Sequence, residues 1–224
     1  MDNAIKFIDA FTRFLRVLIW PAICIFVLVR FGSALRGFLS NLGELTLKGG
    51  GFEASAKRQM EVTGALVAAR LSRPDANANP ETTAKDVAAI GQVVVEGATP
   101  EVIRKTRRAT LLWVDDRPDN NRYERQALEA MGISITLSTS TEDALEKVKT
   151  QNFDVIISDM GRPPDPRAGY TLLDKLRASG DRTPFIIYAS SRAPQHRAEA
   201  KEHGAIDCTN RPDELFELVL RSLK

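Results

Sequence analysis

The chain has 224 residues, of which 43% are hydrophobic and 27% are charged, and its formal net charge is +2. This composition excludes an intrinsically disordered chain, and two cysteines far apart in sequence exclude a disulfide framework. Residues 1–109 carry 15 basic and 10 acidic side chains, whereas residues 110–224 carry 16 and 19. A basic first half beside an apolar stretch favours an anionic membrane surface as partner. The sequence shows no nucleic-acid-binding motif, so no nucleic acid partner is expected.

An apolar run near the N-terminus predicts a membrane anchor within residues 1–40. As a helix at ~1.5 Å per residue, residues 14–31 would be about 27 Å long, close to a bilayer core of ~30 Å. The span can continue to residue 39 if the helix tilts. A membrane helix tolerates the kink that its proline would cause. The side chains assigned to the membrane are Phe14, Trp20, Pro21 and Phe31.

The alternatives for this segment are a cleaved signal peptide and a buried helix of a soluble domain. A signal peptide is disfavoured because Asp2 and Asp9 precede the run and two arginines follow it. A small excess of basic residues after the span places the C-terminal side in the cytoplasm. We therefore expect a single-pass protein of the inner (cytoplasmic) membrane with its C-terminal domain in the cytoplasm.

Residues 41–72 are predicted to form a juxtamembrane hairpin and an amphipathic helix. In the stretch ELTLKGGGFEAS, at 44–55, apolar and polar residues alternate on both sides of three glycines, which is typical of a hairpin. No Lys-Ser/Thr pair follows the glycines, which argues against a phosphate-binding loop. The helix at 55–72 needs a cover for its apolar stripe, either a second copy of the chain, the membrane surface or the C-terminal domain. The predicted stripe consists of Met60, Val62, Leu66, Val67 and Leu71.

Residues 73–109 are predicted to form a linker and two short helices. The stretch at 72–82 is polar and contains two prolines and two asparagines, which favours a linker. The helices are expected at 82–95 and 100–107.

From residue 110 to 224 the pattern alternates between short apolar strands and helices. Five strand–helix units follow one another, beginning with TLLWVDD and ending with RPDELFELVLRSLK. Continuous apolar strands between helices indicate an α/β fold with a doubly wound, five-stranded parallel sheet covered on both faces.

Acidic residues follow two of these strands. Asp115 and Asp116 come after the first strand and Asp159 after the third. In such folds the functional site lies beyond the carboxyl ends of the strands, where the strand order reverses. Three carboxylates at one edge repel each other unless a hard cation lies between them, and carboxylate oxygens suit Mg²⁺. The sequence therefore predicts a magnesium site at this edge.

Residues 110–224 resemble the receiver domain of two-component response regulators. The resemblance rests on the acid pair, the stretch DVIISDMGRP and the pair Arg211-Pro212. It implies a flavodoxin-like fold in which Asp159 accepts a phosphoryl group from a histidine kinase. By the same resemblance, the Mg²⁺ ligands are Asp115, Asp116, Asp159 and the backbone carbonyl of Gly161.

Two positions depart from the family pattern. Ala189 stands where the family has a serine or threonine that contacts the phosphoryl group. Ser190 follows immediately and can replace it only if the end of the strand shifts by one residue. Arg211 stands where the family has a lysine that pairs with the phosphoryl group. Arginine keeps the charge and can bind phosphate through two nitrogens, but it is longer and planar. These changes leave the metal site intact and weaken the switch.

Three functional hypotheses follow. The first is a membrane-anchored signalling protein that accepts a phosphoryl group at Asp159 and acts through protein–protein contacts, with self-association through residues 55–72. The second is a pseudo-receiver that is not phosphorylated and acts as a membrane-tethered binding or scaffold module. The third is a membrane-acting effector. The sequence shows no nucleophile–base set, so we expect a phosphoryl acceptor rather than a turnover enzyme.

Overall fold

The computed structural model describes residues 51–72, 80–191 and 193–223, with side chains described from residues 55 and 84 onward in the first two ranges. A short 3₁₀ turn, Pro118–Asn121, precedes the fourth described helix. In chain order the described helices and strands are α1 Gly51–Ser72, α2 Pro80–Gly97, α3 Pro100–Thr106, β1 Thr110–Val114, α4 Arg122–Ala130, β2 Ser134–Ser138, α5 Thr141–Thr150, β3 Val155–Ser158, α6 Ala168–Ala178, β4 Phe185–Tyr188, α7 Pro194–Glu202, β5 Asp207–Thr209 and α8 Pro212–Ser222.

The five strands form one parallel sheet in the order β2-β1-β3-β4-β5. This confirms the predicted five-stranded parallel α/β sheet of flavodoxin-like type. The chain leaves β1 toward β2 on one side and then crosses to β3 on the other. The strand order therefore reverses between β1 and β3, which is where parallel α/β folds place their sites.

The central strands are apolar because both faces of the sheet are covered. Leu111 and Trp113 of β1 belong to a buried cluster on one face, whereas Leu112 and Val114 belong to a cluster on the other. Alternate residues of a strand point to opposite faces, so a strand buried on both faces is apolar throughout.

The apolar stripe of α1 is covered by the C-terminal domain. Val62 and Leu66 are buried in the same cluster as Phe216 of α8, while Met60 and Leu71 remain exposed. Met60 and Val62 are two positions apart, about 200° around a helix, so they cannot share one face. The predicted apolar stripe therefore included residues that are not buried. Of the three partners expected to cover it, the structure shows the C-terminal domain.

The predicted hairpin is wrong in its second half. The chain is helical from Gly51 onward, so Phe52 and Ala54 belong to α1 rather than to a strand. The sequence of α1 contains five alanines and no proline, which favours a helix over a strand. Residues 41–50 lie outside the described part of the chain. The two helices expected after the linker occur as α2 and α3.

The predicted location in the inner membrane needs correction. Across residues 51–72, 80–191 and 193–223, none of the helices has the length and apolar character required to cross a bilayer. The longest of them, α1, has charged residues distributed along its sequence. The predicted span at 14–31, with Phe14, Trp20, Pro21 and Phe31, lies outside the described residues.

Candidate functional site

Three aspartates converge at the carboxyl edge of the sheet. Asp115, Asp116 and Asp159 each offer a carboxylate oxygen, and these oxygens all lie within 4.8 Å of one another. The pairing of Val114 with Ser158 brings the strand ends together, because Asp115 and Asp159 are the next residues along β1 and β3. The structure thus assembles the three carboxylates that the sequence pattern predicted.

The carboxylate of Asp115 is held in a fixed orientation. Its Oδ1 accepts a hydrogen bond of 2.7 Å from the backbone N–H of Arg117, and its Oδ2 accepts one from Nδ2 of Asn121. Asp115 is buried, whereas Asp116 is partly exposed and lies 3.5 Å from Nε of Arg117. A carboxylate oxygen has two acceptor positions, so these bonds leave acceptor capacity for a cation.

The environment of Asp159 disfavours its charged form. Burial raises the pKa of this carboxyl above its usual value, and the negative charges of Asp115 and Asp116 raise it further. A backbone hydrogen bond from Met160 and the positive charge of Arg162 act in the opposite direction. The cluster therefore carries more negative charge than its surroundings balance. Hard oxygen donors with excess negative charge suit Mg²⁺, so the three aspartates fit this cation.

A buried arginine lies beside the acidic cluster, and sequence reasoning missed it. Arg162 is 3% exposed, and its Nη1 donates 2.7 Å hydrogen bonds to Ser158 Oγ and to the backbone carbonyl of Asp159. Its Nη2 donates at 3.0 Å to Thr141 Oγ1 and to the backbone carbonyl of Ala168. Arginine is rarely fully buried, and only the placement of the loop against β3 and α6 reveals the acceptors of these hydrogen bonds. The one available signal was the composition of the loop after Asp159, which reads RPPDPRAG at 162–169 and is rich in proline.

A cavity of about 680 Å³ adjoins the aspartates. Asp115 and Asp159 line it, together with Ser190 and, from α1, Arg70. Ala189, the residue directly after β4, also lines it. The predicted phosphate contact from Ser190 is therefore compatible with the cavity but stays a prediction. The predicted contribution of the Gly161 carbonyl to the metal site also stays a prediction.

Arg211 is not among the described residues that line this cavity. Its Nη1 lies 3.1 Å from Oδ1 of Asp86, and its Nε and Nη2 donate to the two oxygens of Asp213 at 3.1 and 2.8 Å. The hydrogen bonds to Asp213, followed by the charges of Asp213 and Asp86, raise the pKa of this guanidinium. The sequence placed Arg211 next to a phosphoryl group, whereas the fold uses it to join α8 to α2.

At the end of β4 a tyrosine links the sheet to α4. The hydroxyl of Tyr188 donates a 2.8 Å hydrogen bond to Oε1 of Glu124, and both side chains are buried. Tyr188 also lines the cavity and contacts the ring of Trp113 edge-on, with ring centroids 6.0 Å apart. The β4 wall of the cavity is therefore anchored to α4.

Comparison with known families assigns the second half of the chain. The family model of the response regulator receiver domain matches residues 111–221. These residues are a response regulator receiver domain. The resemblance seen in the acid pair and in the stretch around Asp159 is thereby confirmed at the level of the family.

Curated relatives match the same receiver domain. The transcriptional regulatory protein DltR of Streptococcus agalactiae is 28% identical over 111 residues, which cover 50% of this chain and 49% of DltR. The sensor histidine kinase RcsC of Escherichia coli is 24% identical over 115 residues, covering 51% of this chain and 12% of RcsC. The chain therefore spans half or less of the length of these relatives.

A solved structure matches this region as well. The receiver domain of the Francisella response regulator 1452 is 25% identical, with a TM-score of 0.46. The match covers 52% of this chain and 96% of that one.

Proposed function

We propose that the receiver domain accepts a phosphoryl group on Asp159 and works in two-component signalling. The observation that carries this proposal is the cluster of three carboxylate oxygens within 4.8 Å of one another at the strand-order reversal. The family assignment of residues 111–221 supports the signalling class. Mg²⁺ is the proposed cofactor, held by Asp115, Asp116 and Asp159.

Asp159 has the surroundings of an acceptor, and Asp115 has those of a ligand. Asp159 lines the cavity and is partly exposed, so an incoming donor can reach its carboxylate. Asp115 is buried and held by hydrogen bonds to both of its oxygens. When bound, Mg²⁺ would supply positive charge at a place where carboxylates and a phosphoryl group otherwise repel each other.

A histidine kinase is the proposed phosphoryl donor. This proposal draws on the relative RcsC, whose name describes a sensor histidine kinase. The donor would need to present its phosphoryl group to the cavity, which Asp159 lines. The output is proposed to be contact with another protein.

Self-association through residues 55–72 has a smaller surface than the sequence suggested. Val62 and Leu66 are buried within the chain, so a second copy would meet the exposed Met60 and Leu71 instead. We expect a Met60→Lys variant to sediment as a smaller species than the wild type if α1 carries the contact. Identical sedimentation of the two proteins would exclude this part of α1.

A second candidate is the pseudo-receiver, which keeps the fold without phosphorylation. Two observations favour it. Ala189 offers no hydroxyl to the cavity, and Arg211 is not among the residues lining the cavity and is paired with Asp86 and Asp213. A binding role for a protein or a small nucleotide would then use the same cavity.

Fluorine NMR of the full chain with Mg²⁺ and beryllofluoride, a mimic of the aspartyl phosphate, separates the two candidates. We expect bound fluorine resonances for the wild type and none for Asp159→Asn. A matched control is Asp174→Asn, because Asp174 is an exposed aspartate of α6. Bound resonances in the wild type and the control alone support phosphorylation at Asp159. Their absence from the wild type supports the pseudo-receiver.

A further inference from the structure

Arg211, which the sequence analysis assigned to the phosphoryl group, is paired with other acidic residues. Arg211 binds Asp86 and Asp213, and it also lies 3.8 Å from Glu214. The carboxylate of Asp213 is only 8% exposed. Moving Arg211 toward Asp159 would leave that carboxylate buried without its main partner, which is costly. If a side chain adds positive charge to that of Mg²⁺ at the phosphoryl site, it is therefore a residue other than Arg211.

A second guanidinium reaches the same cavity as Asp159. Arg70 lies in the last turn of α1, outside the receiver domain, and lines the cavity. Its side chain is 12% exposed, so it is held rather than freely solvated. It binds Oδ2 of Asp86 through Nε at 2.9 Å and through Nη2 at 2.7 Å.

Asp86 therefore joins two arginines through different oxygens. Oδ2 accepts from Arg70, while Oδ1 accepts from Arg211. Burial alone would raise the pKa of Asp86, but the hydrogen bonds and charges of the two arginines lower it below the usual value. If Arg70 left, Asp86 would keep its bond to Arg211. Arg70 can thus change partner while Asp86 keeps one arginine, whereas the departure of Arg211 would also leave the buried Asp213 without its partner.

The other arginines lining the cavity are less suited to this role. Arg117 has an exposed side chain and lies 3.5 Å from Asp116. Arg122 is exposed, and its Nη2 donates to the hydroxyl of Tyr123. Ordering an exposed arginine costs side-chain entropy, and water screens its charge. Arg70 is already ordered and sheltered.

We propose that Arg70 is the cation that binds a phosphoryl group on Asp159, exchanging its bond to Asp86 for one to the phosphoryl oxygens. This proposal rests on the proposed function of Asp159 as acceptor. A planar guanidinium can bind two phosphoryl oxygens, whereas its hydrogen bonds to Asp86 reach a single oxygen. Phosphorylation would therefore break the contact between Arg70 of α1 and Asp86 of α2, and it would form a contact between the end of α1 and the phosphoryl group on Asp159.

The test measures the affinity of the full chain for beryllofluoride in the presence of Mg²⁺, using fluorine NMR. We expect Arg70→Ala to weaken the affinity about tenfold, the loss typical of one charge-assisted hydrogen bond. Arg211→Ala is expected to change it by less than about threefold. The matched control is Lys57→Ala, because Lys57 is a cation of the same helix with a 79% exposed side chain. Thermal unfolding of each variant verifies that it is folded.

A second variant predicts a change of the opposite sign. Asp86→Asn removes the carboxylate that competes for Arg70, so the affinity for beryllofluoride should rise several-fold. Adding Arg70→Ala to Asp86→Asn should abolish that gain, whereas adding Arg211→Ala should preserve it. A purely structural role for the arginine–aspartate contacts would lower the affinity in all of these variants.

The outcomes separate this proposal from the one on which it rests. If the wild type binds beryllofluoride and Arg70→Ala binds it equally well, the assignment of Arg70 is overturned while the phosphoryl acceptor stands. The assignment of Arg70 is also overturned if Arg211→Ala, rather than Arg70→Ala, abolishes the rise in affinity that Asp86→Asn causes. If the wild type forms no adduct, both proposals fail together.

Discussion

Nη1 of Arg162 donates a 2.7 Å hydrogen bond to the backbone carbonyl of Asp159, and Arg162 is only 3% exposed. A full positive charge is thereby buried next to the acidic cluster. Burial lowers the pKa of Arg162, while the charges of Asp159, Asp115 and Asp116 raise it. Hydrogen bonds help a buried ion to be tolerated, and the two Nη atoms of Arg162 donate to four acceptors, although its buried Nε has no hydrogen-bond partner among the described residues. Arg162 therefore fixes the loop after Asp159 and partly offsets the charge of the cluster.

Replacing Arg162 with methionine should lower the free energy of unfolding by about 3 kcal/mol, because several buried acceptors lose their donor. Urea unfolding measures this change. The control is Arg167→Met, whose arginine is 58% exposed and pairs with Glu199, and it should cost less than about 1 kcal/mol. Equal costs for the two variants would contradict the structural role of Arg162.

Asp159→Asn should stabilise the protein in the absence of Mg²⁺. The raised pKa of Asp159 means that its ionised form disfavours the folded state at neutral pH, and asparagine carries no charge. The same variant should lose most of the rise in melting temperature that Mg²⁺ causes in the wild type. Thermal unfolding with and without Mg²⁺ measures both effects. An unchanged response to Mg²⁺ would exclude Asp159 as a ligand.

Gly169→Ala should destabilise the receiver domain by about 2 kcal/mol, as overpacking of a tight site does. A Cβ at this position would lie 2.8 Å from the backbone oxygen of Asp159 and 3.1 Å from Cα of Met160. Backbone atoms cannot move aside cheaply. Gly169 therefore permits the close approach of α6 to the backbone of Asp159 and Met160.

The matched control for this change is Gly64→Ala in α1. Gly64 has no atom within 4 Å of an added Cβ, so alanine should stabilise the protein by about 0.5–1 kcal/mol through helix propensity. Urea unfolding of both variants tests the contrast in sign. A destabilising effect of the same size at both positions would argue against the close contact at Gly169.

The ion pair between Asp207 and Arg197 should contribute to stability above acidic pH. Burial alone would raise the pKa of Asp207, but hydrogen bonds from Arg197 and the backbone N–H of Cys208 lower it below its usual value of 3.8. The contribution is therefore fully present above pH 3.8 and is lost as the pH falls through the lower folded-state pKa. Urea unfolding from about pH 6 to about pH 2 measures this acid dependence.

Asp207→Asn should flatten this acid dependence. In an Arg197→Met background the effect of Asp207→Asn should shrink, because the main partner of the carboxylate is already absent. An acid dependence that is the same in the wild type and in Asp207→Asn would show that other carboxylates dominate it.

Features that depend on residues close together in the sequence were predicted well, and features that depend on distant residues were predicted less well. The sheet follows from runs such as TLLWV and FIIY, because continuous apolar strands between helices can be buried only between two covered faces. The convergence of Asp115 and Asp159 follows as well, since parallel strands end at the same edge. The stripe of α1 was predicted less well, because Met60 lies at helical distance from apolar neighbours without sharing their buried face.

What the sequence by itself determined was the receiver-type sheet and the three aspartates at its edge, because both depend on local patterns repeated along the chain. The tertiary structure decided which arginine lies where. Arg211 is paired with Asp86, a residue 125 positions earlier, and Arg70 reaches the cavity from outside the receiver domain. Charge pairing of this kind depends on how α1 and α2 dock against α8. The hydrophobic periodicity of the sequence does not predict this docking, because any arginine and any aspartate can form such a pair once the fold brings them together.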